Sequence, residues 1–167
     1  VSGRDFWRGA NVRVVLLSCL LLLTGCRVSF TPPTELPAST QGTEEQQSEA
    51  LEAAEAYLAL IDGKRYAETW QTAGPALKGM SNEVMWVNTL KLTRKIPLPE
   101  GRELQGIGFN TRVDARAPEG EYAVLEFVRR AGDTTATEKV VMQKHESRWM
   151  IVGYFVNKRV NLVGGKD

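Results

Sequence analysis

The chain is poor in the side chains from which reactive centres are most often built. Its 167 residues contain two cysteines and one histidine. A structural zinc site needs about four ligands, usually several of them Cys or His, so neither a metal site nor a resident cofactor is expected. No G-x-S-x-G turn, Walker loop or glycine-rich dinucleotide fingerprint occurs. Gly106-Ile107-Gly108 is too short to count as one and reads as a strand bend. Charge of one sign is missing as well. The formal net charge is +1, and outside residues 1–25, which carry three Arg and one Asp, 18 basic residues face 19 acidic ones. A general nucleic-acid binder needs a concentrated basic surface, so no nucleic-acid partner is expected. Arg129-Arg130 and Lys158-Arg159 read as solvated strand ends. A membrane-length apolar run is also lacking. Between Arg13 and Arg27 lie 13 residues, roughly 20 Å of helix at about 1.5 Å per residue, against a hydrocarbon core of about 30 Å. No internal repeat is visible.

What is there begins at the N-terminus. Arg4, Arg8 and Arg13 precede the apolar run Val14 to Leu23, which ends in Leu23-Thr24-Gly25-Cys26. A basic start, a short apolar centre and small residues before a cut are the parts of an export signal. Together with the cysteine they resemble a bacterial lipobox. The resemblance implies cleavage before Cys26 and a diacylglyceryl group on its sulfur. Cys19 would leave with the signal, so Cys26 would be the only cysteine of the mature chain. Lipidation then accounts for a thiol without a disulfide partner. Two or three acyl chains hold a protein stably where one does not. The membrane, reached through that lipid, is thus the first expected partner. The expected location is the periplasmic side of the cell envelope. Arg27 is not the Asp that retains enteric lipoproteins in the inner membrane, which favours the outer membrane.

Four segments are expected: a signal peptide over 1–25, a lipidated Cys and flexible tether over 26–42, a single α+β domain over 43–160, and a tail over 161–167. Pro32, Pro33 and Pro37 among Thr, Ser and Gly mark the tether. Thr43-Glu44-Glu45-Gln46 has capping-box spacing. Leu51, Ala54, Leu58 and Ile61 then follow as one helical stripe that ends at Asp62-Gly63, with Gly63 suited to the left-handed position. A second helix is expected from Lys64 to Ala73, broken by Gly74-Pro75. A third, capped by Ser81, should reach Lys95, with Val84, Met85, Trp86, Val87, Leu90 and Leu92 as its apolar residues. Pro97 and Pro99 stop it. Strands are expected over Arg102–Ala115, Glu121–Arg130, Thr135–His145 and Arg148–Asn157, the last three joined by short turns into a meander. Helices followed by strands predict an α+β fold with N-terminal helices packed on one face of a curved antiparallel sheet.

Gly63, Tyr66, Trp70, Lys78, Trp86, Arg94, Gly120-Glu121-Tyr122, Glu138, Trp149 and Gly153-Tyr154 stand in an order that resembles the domain-of-unknown-function family numbered 4019. The resemblance covers roughly residues 50 to 157. Pro97-Leu98-Pro99-Glu100-Gly101 departs from the shorter Pro-Leu-Gly turn of that family. The family is similar in turn to the cone-shaped fold of nuclear transport factor two and ketosteroid isomerase. That likeness implies a curved sheet that can enclose a pocket, and no particular chemistry.

Glu126 and Glu138 are the sharpest candidates for chemistry. If their faces line a cone, burial would raise both carboxyls toward acid–base work. The plainer reading leaves each on a solvated face or paired with Arg129, Lys139 or Arg148. Trp70, Trp86, Trp149 and Tyr154 complete the candidate pocket, although aromatics at such spacings are more often core. His145, beside Glu146 at a strand end, reads as an ordinary turn-flanking residue. No catalytic set is assigned. The expected function is a membrane-anchored lipoprotein with a ligand- or protein-binding domain, taking an envelope protein or a small apolar ligand. An isomerase or hydrolase in a cone pocket and a structural envelope protein are the alternatives.

Overall fold

The computed structural model describes residues 38–161. The expected signal peptide, Cys26 and most of the expected tether lie outside the described residues. Four helices, α1 (Glu44–Asp62), α2 (Tyr66–Gln71), α3 (Pro75–Met80) and α4 (Glu83–Thr93), precede four strands. The strands β1 (Glu103–Asn110), β2 (Glu121–Ala131), β3 (Thr134–His145) and β4 (Arg148–Val160) form one antiparallel sheet in sequence order. The fold is α+β, with the helices before an open curved sheet. Among the described residues no helix is long and apolar enough to cross a membrane.

Helix α1 starts as its sequence predicts. The Thr43 hydroxyl accepts from Gln46 N–H at 3.2 Å, and Thr43 N–H donates to Gln46 Oε1 at 2.8 Å. Ala50, Ala54, Tyr57, Leu58 and Ile61 form its buried face, which lies against β2, β3 and β4. Its end differs from expectation. Gly63 stays at φ −74°, and Lys64 takes the left-handed conformation at φ 58°. The chain turns one residue later, held by Arg65 N–H donating to Leu60 O at 2.8 Å.

The Gly74-Pro75 pair does more than break α2. Pro75 opens α3, because a proline at the first helical position lacks only an N–H that has no helical acceptor anyway. Helix α4 is capped by Asn82 and not by Ser81: the Asn82 Oδ1 accepts from Met85 N–H at 3.0 Å. Only Trp86 and Leu90 of its expected apolar residues are buried, and Val84, Met85 and Leu92 point to solvent.

Sheet register sets what each face carries. Leu125 pairs with Val140, Val140 with Tyr154, and Ala123 with Met142. Side chains alternate between faces along a strand, so these pairs define the inner, helix-covered face. Glu126 pairs with Lys139 and Lys139 with Phe155 on the outer face. β1 ends at Asn110, short of the expected Ala115, and its register shifts between Leu104 and Gly106. Both outer strands meet short pieces of chain. Thr40 exchanges backbone hydrogen bonds with Phe109 of β1 at 2.9 and 2.8 Å. Gly74 N–H donates to Ile151 O of β4 at 2.8 Å. The last residues of the expected tether are therefore laid along the sheet.

Candidate functional site

The inner face carries one fully buried carboxylate. Glu138 lies opposite Phe127 on β3 and has no exposed surface. An unpaired charge there would be strongly destabilising, and the fold surrounds it with donors from three elements. Arg102, before β1, reaches it with Nε at 3.0 Å and Nη2 at 3.1 Å. Arg129 of β2 donates its Nε–H to Oε1. Tyr154 of β4 donates its hydroxyl to Oε2 at 2.6 Å. Arg94, at the end of α4, lies 3.7 Å from Oε2. Asp62, the last residue of α1, ties the same arginines together, at 3.1 Å from Arg94, 2.9 Å from Arg102 and 3.4 Å from Arg129. Three guanidinium groups and two carboxylates thus join the helical layer to the sheet.

This arrangement reverses the expected electrostatics of Glu138. Burial by itself would raise its carboxyl pKa. Hydrogen bonds from Arg102, Tyr154 and Arg129, and the charge of Arg102, outweigh burial and hold it at about 2. The carboxylate is ionised at neutral pH and does not hold a proton to donate. Tyr154 moves the other way, with its phenol pushed above the ordinary range by burial and by the adjacent Glu138 charge. Tyr57 packs edge-on to Tyr154 with ring centroids 6.3 Å apart. Its phenol is raised chiefly by burial and by Tyr154, against a weaker lowering interaction with the Thr69 side chain, and its buried hydroxyl makes no well-formed hydrogen bond among the described residues.

The other expected pocket residues are not brought together. Glu126 sits on the outer face, half exposed, with Lys139 Nζ at 3.0 Å. It and Glu138 are on opposite sides of the sheet, because β2 and β3 place Glu126 against Lys139 and Phe127 against Glu138. Trp86 Nε1–H donates to the buried Thr69 hydroxyl at 3.0 Å. Trp149 packs edge-on to Phe109 at 5.8 Å and donates to Glu49 at 3.3 Å. Trp70 lies under Lys78 Nζ at 5.9 Å. These aromatics fill separate parts of the helix–sheet interface. His145 is exposed at its turn.

Open space lies instead on the outer face. One depression of about 400 Å³ is lined by Ser39, Gly106, Gly108, Val124 and Glu126. A second of about 680 Å³ is lined by Glu126, Thr137, Lys139, Phe155 and Arg159. Glu126 is shared by both. Among the described residues no group of three or more His, Cys, Asp or Glu is placed to hold a metal ion.

Asp62, Arg94 and Arg102 are the residues that sequence reasoning did not bring to Glu138, whereas Arg129 is one of the partners that the plainer reading offered, and it does pair with Glu138. The expectation that Arg129 is a solvated strand end is corrected: it alternates in step with Leu125 and Phe127, so it belongs to the inner face, and its side chain is 11% exposed. No curated protein and no solved structure matches the chain. A family profile does, over residues 53–154, a span that runs from α1 to Tyr154 and includes every member of the charge cluster. The chain belongs to the family described as proteins of unknown function, DUF4019.

Proposed function

We propose that this chain is a lipid-anchored lipoprotein of the bacterial envelope, held by Cys26, whose domain binds a ligand or protein partner and performs no acid–base chemistry at Glu138. The observation that carries the binding reading is the state of Glu138. An ionised carboxylate saturated by Arg102, Arg129 and Tyr154 has no proton to give and no free lone pair aimed at a substrate. It serves as an internal strut between helices and sheet. The accessible depressions lie on the outer sheet face, where Glu126, Lys139 and Phe155 offer one anion, one cation and one aromatic ring. That set suits recognition, and it favours a binding domain over an isomerase or hydrolase in a cone pocket. The resemblance to the nuclear transport factor two cone belongs to the same proposal, with the interior filled by the apolar core and, around Glu138, by the charge cluster.

Leu23-Thr24-Gly25-Cys26 supports the anchor, and Arg27 supports outer-membrane sorting. Two measurements test the proposal. Mass spectrometry of the N-terminal peptide from protein made in its own host should show a lipidated Cys26 as first residue; an intact Val1 to Gly25 refutes the anchor. Native mass spectrometry should show a co-purifying ligand or partner that is lost on Phe155→Asp. Retention of the bound species by that variant refutes the outer-face assignment.

A further inference from the structure

Helix α4 presents apolar side chains to solvent, and the charge around them says what they meet. Its core side is Trp86 and Leu90, both buried. Met85 and Leu92 are seven residues apart and Val84 and Leu92 eight, two turns of helix, so the three share a side. They are 58, 62 and 69% exposed for Met85, Leu92 and Val84, and Met80, two residues before the cap, is 74% exposed. The charged residues beside them are mostly basic. Between Lys78 and Ile96 the exposed cations are Lys78, Lys91 and Lys95, and Glu83 is the one carboxylate. Arg94 is turned inward to Asp62. Helix α1 is the opposite, with Glu44, Glu45, Glu49, Glu52, Glu55 and Asp62 and no basic residue. The domain is thus polarised, with its exposed apolar helix on a cationic segment and its acidic charge concentrated on another helix.

We propose that α4 docks onto the surface of an anionic lipid bilayer, with Met80, Val84, Met85 and Leu92 entering the headgroup region and Lys78, Lys91 and Lys95 meeting lipid phosphates. Apolar residues on one helical side with lysines flanking them are what interfacial binding needs. A protein partner could cover the same stripe, but the cationic rim on a domain with no basic excess favours an anionic sheet. The proposal rests on the lipid-anchor reading for one point, that a bilayer is always within reach. The 14 residue-to-residue steps from Cys26 to Thr40 span at most about 50 Å, more than the roughly 30–35 Å width of a domain this size. The anchor therefore leaves α4 free to turn to the membrane.

The four methionines of the chain provide the test. Met85 lies on the stripe, Met80 is exposed at the end of α3 just before it, Met142 is buried in the sheet, and Met150 is on β4. The full chain from its host is placed with vesicles of phosphatidylcholine alone, or with about one-third phosphatidylglycerol, and treated with dilute peroxide. Docking predicts that the anionic vesicles slow sulfoxide formation at Met80 and Met85 at least threefold and leave Met150 unchanged. The double variant Val84→Glu, Leu92→Glu, at exposed positions that the fold does not need, should lose that protection. Equal oxidation in both vesicles overturns the proposal. So does protection that appears without vesicles and grows with protein concentration, since a second copy would then cover the stripe. The mass of the Cys26 peptide, read from the same digest, separates the two claims. An unmodified Cys26 with anionic protection intact sinks the anchor and keeps the docking, and a lipidated Cys26 without protection does the reverse.

Discussion

Replacing Glu138 by Gln tests the charge cluster most directly. The substitution keeps size and shape. It removes the negative charge and aims an N–H₂ donor among groups that are already donors, so Arg102, Arg129 and Tyr154 lose acceptors. Two routes give the magnitude. Removing one partner of a buried ion pair costs about 3–5 kcal/mol. Independently, a carboxyl whose pKa goes from 4.5 to about 2 on folding contributes about 3 kcal/mol at neutral pH, at about 1.4 kcal/mol per tenfold. The sign is that of a depressed acid: the contribution is complete above the unfolded value and is lost as pH falls toward the folded one. About 2 kcal/mol of it should be gone by pH 3. Urea unfolding of Glu138→Gln at pH 7 should show a midpoint lower by roughly 1.5 M, taking a slope of about 2 kcal/mol/M. Wild type and variant should converge between pH 5 and pH 2. A loss under about 1 kcal/mol at pH 7, or a gap that does not narrow in acid, would refute the strut.

Four further outcomes follow from the same geometry. Tyr154→Phe removes the hydroxyl donor to Glu138 and should cost about 2 kcal/mol, with acid unfolding starting at higher pH because the carboxyl loses one of its stabilising bonds; an unchanged acid limb counts against it. Tyr57→Phe deletes a buried hydroxyl that makes no well-formed hydrogen bond and should leave thermal stability equal or higher by about 1 kcal/mol; a clear drop in melting temperature contradicts this. Gly42→Ala places a Cβ 2.5 Å from Phe109 Cδ2 at a residue with φ +69° and should cost about 1–3 kcal/mol, read by thermal melting. Glu126→Gln breaks a half-exposed pair with Lys139 and should change stability by less than about 0.5 kcal/mol, so a larger change in urea unfolding would mean that the outer face is more constrained than its exposure implies.

Local features of the chain were legible and distant partners were not. Thr43 and Gln46 are three residues apart, so their cap reads directly from spacing, and the turn-linked strands pair in sequence order. The charge cluster draws on Asp62, Arg94, Arg102, Arg129 and Glu138, which meet only once the sheet register sets Glu138 against Phe127 and α1 is laid across it. Alternation showed that Glu126 and Glu138 each shared a face with apolar residues. It could not say that these were different faces, since both sides of each strand carry large apolar residues, Val124 and Leu125 on β2 and Val140 and Val141 on β3. Helix α4 misled for a related reason: apolar residues occupy most of its circumference, and only the packing of Trp86 and Leu90 tells the buried side from the bare one.

The two short chain pieces at the sheet margins matter most if many copies crowd one membrane. Confinement to a surface raises local concentration, and an unpaired strand edge is then a template for joining neighbours into fibres. Thr40 covers that edge at Phe109 of β1, and the Thr72–Gly74 segment does so at Ile151 of β4. Beyond Gly74, β4 runs out through Lys158 and Arg159, charges that repel a like strand. The chain around Thr40 thus shields part of the β1 edge, and shortening it past Thr40 should make the protein more prone to self-associate.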